Sequence, residues 1–165
     1  TALKPVLVAV LIWTLIQFSF SYLHIYILKL EFSLPYIITP FNVLSYLAFQ
    51  VFLSGTSEEI LFRALIMLGI YELLNDFTDK RRSLVSAAIA TAVFMAGHIN
   101  IRFYPFEIIH FNPAQQATCL IFGLFYAWLV LRYRNIYAAM LAHNLLNGVI
   151  SIVSYLLFVS YPLHG

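Results

Sequence analysis

Long apolar stretches separated by short polar interruptions run the length of the chain. The pattern predicts helices near 4–28, 35–54, 57–75, 83–100, 113–132, 136–147 and 149–161. The longer ones approach the roughly 20 residues that span a bilayer. The apolar runs are continuous rather than alternating with period two, which argues against a membrane β-barrel. Connections are expected at 29–34, 75–82, 101–112 and 133–135. Asn112 and Pro113 read as a helix start, with Asn as cap and Pro in the first turn. Gly148 reads as the break between the last two helices. The expected fold is all-α: a polytopic transmembrane helical bundle of about six to seven helices, forming one integral-membrane domain over 1–165 without internal repeats. The chain opens on Thr1 rather than Met, so a preceding segment is expected.

Composition strengthens the membrane assignment. The chain is 62% hydrophobic and 10% charged, with a mean hydropathy of +0.89. Soluble domains carry about 45–50% apolar and about 25% charged residues. Too much apolar surface would stay exposed in water at this length, so a lipid bilayer is the expected surrounding. The net charge of +2 comes from scattered basic residues, which argues against a nucleic-acid partner. Cys119 is the single cysteine, which excludes a disulfide framework and a thiolate metal site. If every predicted helix crosses, Lys29, Lys80–Arg82, Arg132 and Arg134 fall on one side, with Lys4 and Arg102 on the other. The excess marks the first side as cytoplasmic.

Against this background a few polar residues stand out. Glu58, Glu59 and Arg63 sit in an otherwise apolar helix. A charge at membrane depth costs on the order of 2.5–3.5 kcal/mol on insertion scales and marks function by default. Glu59 and Arg63, four residues apart, share a face and can pair, whereas Glu58 points about 100° away. A structural account exists for part of this cluster. Thr56 as N-cap with Glu59 reaching back makes a capping box, and a Glu59–Arg63 ion pair serves the fold alone. Neither requires Glu58. His98 ends another apolar helix, and His143 lies in a third with Asn147 one turn later on the same face. His24, His110 and His164 show no partner pattern and read as structural or interfacial. Ser54 and Ser57 lack a visible His–Asp arrangement, so a serine nucleophile is a weak reading.

A carboxylate, two imidazoles and a carboxamide on three apolar helices suit two chemistries. Glu58, His98 and His143 are suitable zinc ligands. Without metal, Glu58 can serve as a base toward water while His or Asn stabilises an oxyanion. No His-Glu-x-x-His sequence or nucleophile elbow is present. The same residues also admit a proton-relaying transporter, although no inverted repeat accompanies them.

The ordered motifs Glu58-Glu59-Ile-Leu-Phe-Arg63, Phe94-Met-Ala-Gly-His98 and His143-Asn-Leu-Leu-Asn147 resemble the CPBP, or Abi, family. That family comprises type II CAAX prenyl proteases and bacteriocin-processing or immunity proteins. The motifs cover 58–147; Ala64 stands where many members have Gly. The resemblance implies an intramembrane endopeptidase acting on a peptide or membrane-anchored protein. Glu58 would be its catalytic base. His98, His143 and Asn147 would bind water, a metal or the oxyanion, and Glu59 and Arg63 would support the site. It leaves open zinc or no cofactor at all, and a non-catalytic immunity or interaction protein on the same scaffold. The small size and the family's breadth point to a bacterial plasma membrane.

Overall fold

The computed structural model describes residues 1–29 and 33–160. Residues 30–32 of the first expected connection, position 161 at the end of the last expected helix, and His164 lie outside the described residues. The described residues form five helices and one short hairpin. The helical membrane class holds, with fewer helices than the six to seven expected. Three helices, Leu3–Ile27, Pro113–Tyr133 and Ile136–Ser160, are long and apolar enough to cross a membrane.

The differences from expectation have local causes. Helical turns follow without a break over 40–73, so the predicted helices 35–54 and 57–75 are one. They start at Thr39, whose Oγ1 accepts from the Asn42 N–H, with Pro40 in the first turn. Thr56 is therefore no N-cap, and the capping box does not form. Instead the Thr56 hydroxyl donates to the Phe52 carbonyl one turn back. The helix expected at 83–100 spans Asp79–Ala96. Lys80, Arg81 and Arg82 belong to its first turns rather than to a loop. Segment 100–110 is an antiparallel hairpin, Asn100–Phe103 paired with Phe106–His110. The final helix runs unbroken through Gly148, because Gly148 serves close packing: a Cβ there would lie 2.9 Å from Val51 Cγ2. As expected, Asn112 caps the helix Pro113–Tyr133, its Oδ1 accepting from the Gln115 N–H. That helix ends where Arg134 turns left-handed at φ 52°.

Contacts divide the chain into two compact units, one of Thr1–Ser57 with the segment from Met140 onward, the other of Glu58–Ala139. In the first, Ile25 packs with Val153 and Leu157, flanked by Tyr26 and Val149. In the second, Phe62, Phe94 and Cys119 form a core with Ile66 and Met95 at its edge. One end of this second unit is tied by polar contacts. Arg82 Nε donates to the Tyr71 carbonyl and its guanidinium stacks on the Tyr71 ring. The Tyr71 hydroxyl donates to Asp79, and Arg134 lies 3.9 Å from Asp79. Lys80–Arg82 and Arg132–Arg134 thus share one end, and the hairpin with Arg102 caps the other, as the charge pattern predicts for this unit. The grouping of Lys29 with them rested on two helices within 40–73, where the structure has one.

Candidate functional site

The carboxylates of the first motif lie where the helix changes pitch. Gly55–Glu59 is α-helical, and Ile60–Met67 continues in wider π-helical turns, a departure that recurs at functional sites. Glu59 and Arg63 pair as their spacing predicts: Nε and Oε2 are 3.3 Å apart, and both side chains are 0% exposed. Arg63 also donates from Nη2 to the Gly123 carbonyl at 3.0 Å. Its guanidinium carbon lies 4.8 Å from the Phe94 ring centre, 5.4 Å from Tyr126 and 6.0 Å from Phe62. One cation therefore touches all three main helices of the second unit. Ion pairing and aromatic faces together offset its desolvation. Gly123 makes room for this, since a Cβ there would lie 2.7 Å from Thr91 Cγ2.

Glu58 is half-buried, with Oε2 withdrawn from solvent. It remains within electrostatic reach of Arg63 and Cys119, so the pairing of Arg63 with Glu59 does not insulate Glu58 from that cation. His98 lies just beyond the end of the helix Asp79–Ala96 and is also half-buried. Its Nδ1 is 2.9 Å from the Phe94 carbonyl oxygen. A carbonyl only accepts, so Nδ1 carries the proton and Nε2 is left as the acceptor or ligand atom. Phe94 contacts the His98 ring edge-on at 4.7 Å and Phe62 at 5.1 Å. Phe94 thus links His98 to the motif that carries Glu58.

In the first unit, His143 and Asn147 meet the same short segment, as their four-residue spacing predicts. A Cβ on Gly55 would lie 2.8 Å from His143 Cβ and Cγ and 2.6 Å from Asn144 Oδ1. The Asn147 Nδ2 donates to Ser54 Oγ at 3.3 Å. Asn144 was not singled out by the sequence, yet it clasps Thr56 twice. Its Oδ1 accepts from the Thr56 N–H at 3.1 Å, and its Nδ2 donates to Thr56 Oγ1 at 2.8 Å. The N–H served in this way lies just past the π-helical turns Gln50–Ser54. The signal was a second carboxamide beside His143, without an indication of its partner. His143 itself is 5% exposed. Ser54, Gly55 and Thr56 immediately precede the carboxylate motif in the chain.

Other polar residues are structurally engaged. Ser57 Oγ donates to the Ser54 carbonyl, His24 stacks on Phe20, and His110 pairs with Asn100 in the hairpin. Among the described residues, no three His, Cys, Asp or Glu side chains are grouped to hold a metal ion.

A family model described as "Type II CAAX prenyl endopeptidase Rce1-like" matches residues 40–149, about two thirds of the chain and all three motifs. No curated protein and no solved structure matches it.

Proposed function

Because the chain belongs to the Rce1-like family of type II CAAX prenyl endopeptidases, we propose that it is an intramembrane endopeptidase in which Glu58 activates the attacking water. The observation that carries this reading is the buried Glu59–Arg63 pair. Through Phe94 it fixes the turn bearing Glu58 against the segment bearing His98. A base must be held within hydrogen-bond reach of its water, and a locked helix turn supplies that rigidity.

In the proposed reaction Glu58 takes a proton from water as the oxygen attacks the scissile carbonyl carbon. The carbonyl oxygen becomes an oxyanion, which hydrogen-bond donors in the cavity stabilise. When the C–N bond breaks, the protonated Glu58 gives its proton to the leaving amine, and the carboxylate is restored. His98 orients the water through Nε2, its tautomer set by the Phe94 carbonyl. Glu59 and Arg63 position Glu58 and do not touch the reacting atoms. No metal takes part in this scheme. The substrate is a membrane-associated peptide or protein, with a prenylated CAAX-type peptide the first to assay, and the setting is a bacterial plasma membrane.

The test uses purified protein in lipid nanodiscs with a fluorogenic CAAX peptide, prenylated or not. Cleavage that survives exhaustive chelation, and that falls by about 10² or more in His98→Ala, supports the scheme. Chelator-sensitive cleavage restored by zinc would overturn its metal-free step. Cleavage by neither peptide form would overturn the CAAX-type substrate.

A further inference from the structure

The hairpin 100–110 lies outside the proposed chemistry, yet it has two sharply different faces. Residues directly opposite in an antiparallel pair share a face, and successive residues alternate. Ile101 faces Ile108 and Phe103 faces Phe106, while Arg102 faces Glu107. One face is therefore wholly apolar. The other carries the Arg102–Glu107 ion pair, with Nη1 and Oε2 2.8 Å apart. The protein covers little of the apolar face: Ile101, Phe103, Phe106 and Ile108 are 36%, 82%, 72% and 56% exposed, and Tyr104 at the tip is 94% exposed. A lone two-stranded hairpin is marginal in water, and this one presents its large side chains outward.

Connectivity indicates what covers that face. The hairpin ends at His110, and the helix Pro113–Tyr133, long and apolar enough to cross the membrane, begins three residues later. Leu120, Ile121 and Leu124 on that helix are exposed in turn and give it a lipid-facing side. The tether between them holds the ribbon at the rim of the hydrocarbon layer. Aromatic residues concentrate at that depth, and amphipathic elements there lie with charges toward water and apolar side chains toward the acyl chains. The hairpin carries both features.

We propose that the hairpin 100–110 docks its Ile101–Phe103–Phe106–Ile108 face into the headgroup–acyl boundary of the bilayer. The occupant of this face is phospholipid. Only Ile99 separates the hairpin from His98, so docking sets the depth of that histidine near the membrane surface. The docking follows from the hairpin's faces and tether. Its consequence for the active site rests on the proposed function.

The test reads lipid contact and needs no activity. In a Cys119→Ala background, Phe103→Cys and Glu107→Cys are each labelled with an environment-sensitive fluorophore and reconstituted in phosphatidylcholine–phosphatidylglycerol vesicles. At Phe103 the expected result is blue-shifted emission, quenched by lipids carrying a nitroxide high on the acyl chain. At Glu107 it is quenching by aqueous iodide. Iodide quenching at both positions, or protection from both quenchers at Phe103 as a protein partner would give, overturns the proposal. A second measurement leaves the hairpin unsubstituted. A photoactivatable phospholipid with a shallow diazirine should label peptides spanning 101–108. Label on the helix Pro113–Tyr133 with none on 101–108 would overturn docking even where the cysteine variants fail to fold. Either result stands apart from peptide cleavage, so failure of docking and failure of the protease reading are distinguishable.

Discussion

Replacing Glu59 by Gln removes one charge from a pair whose side chains are both 0% exposed. Arg63 stays charged, because a guanidinium does not give up its proton in a protein. Breaking a buried pair by removing one partner costs about 3–5 kcal/mol. Some compensation remains, since the Gly123 carbonyl and the rings of Phe94, Tyr126 and Phe62 still face the guanidinium. The expected loss is therefore at the lower end, about 3 kcal/mol, or roughly a hundredfold in the folded-to-unfolded ratio. The assay is equilibrium unfolding in mixed micelles of four proteins: wild type, Glu59→Gln, Arg63→Met and the double variant. The double variant should be less destabilised than the sum of the singles by about 2 kcal/mol or more, since it leaves no unpaired buried charge. A Glu59→Gln loss below about 0.5 kcal/mol, or singles that simply add, would refute the claim that this pair locks the helix turn.

Three further outcomes follow from close contacts. Gly123→Ala forces a Cβ to 2.7 Å from Thr91 Cγ2 and should cost about 1–3 kcal/mol. Adding Thr91→Ala should restore most of it, as thermal unfolding of the single and double variants will show. Asn144→Leu removes both bonds to Thr56 and should lower stability by about 1–3 kcal/mol, whereas Asn135→Leu, at a cap on the exposed end of the last helix, should cost about 1 kcal/mol. Gly55→Ala cannot relieve its 2.8 Å approach to His143 Cβ by rotating a side chain, so peptide cleavage should fall together with melting temperature.

Local signals in the sequence were readable where both partners lie within one helical turn. Asn112 and Pro113 start their helix as expected, and Glu59 finds Arg63 four residues on. Signals failed where a distant segment supplied the deciding contact. Thr56-Ser57-Glu58-Glu59 has the composition of a helix start, but Asn144, eighty-eight positions away, satisfies the Thr56 N–H within an unbroken helix. Gly148 resembles a break, but its missing side chain admits Val51. The hairpin was visible in principle, since Ile-Arg-Phe and Phe-Glu-Ile alternate with period two on either side of Tyr104-Pro105. The expectation of an irregular connection masked it. The polar residues of the three motifs were legible from their rarity in apolar helices. Asn144, Gly55 and Gly123 were not, because small residues and a carboxamide acquire meaning only from what packs against them.

The most direct measurement of the central claim is the turnover of Glu58→Gln on a peptide that wild type cleaves, in nanodiscs, with unfolding recorded on the same samples. The substitution keeps the shape of the side chain and removes the base. The account predicts a fall in kcat of about 10²–10⁴ with stability close to wild type. This is the reverse of the pattern for Glu59→Gln, where stability falls first. Undiminished cleavage by folded Glu58→Gln would contradict the assignment of Glu58 as the residue that activates water.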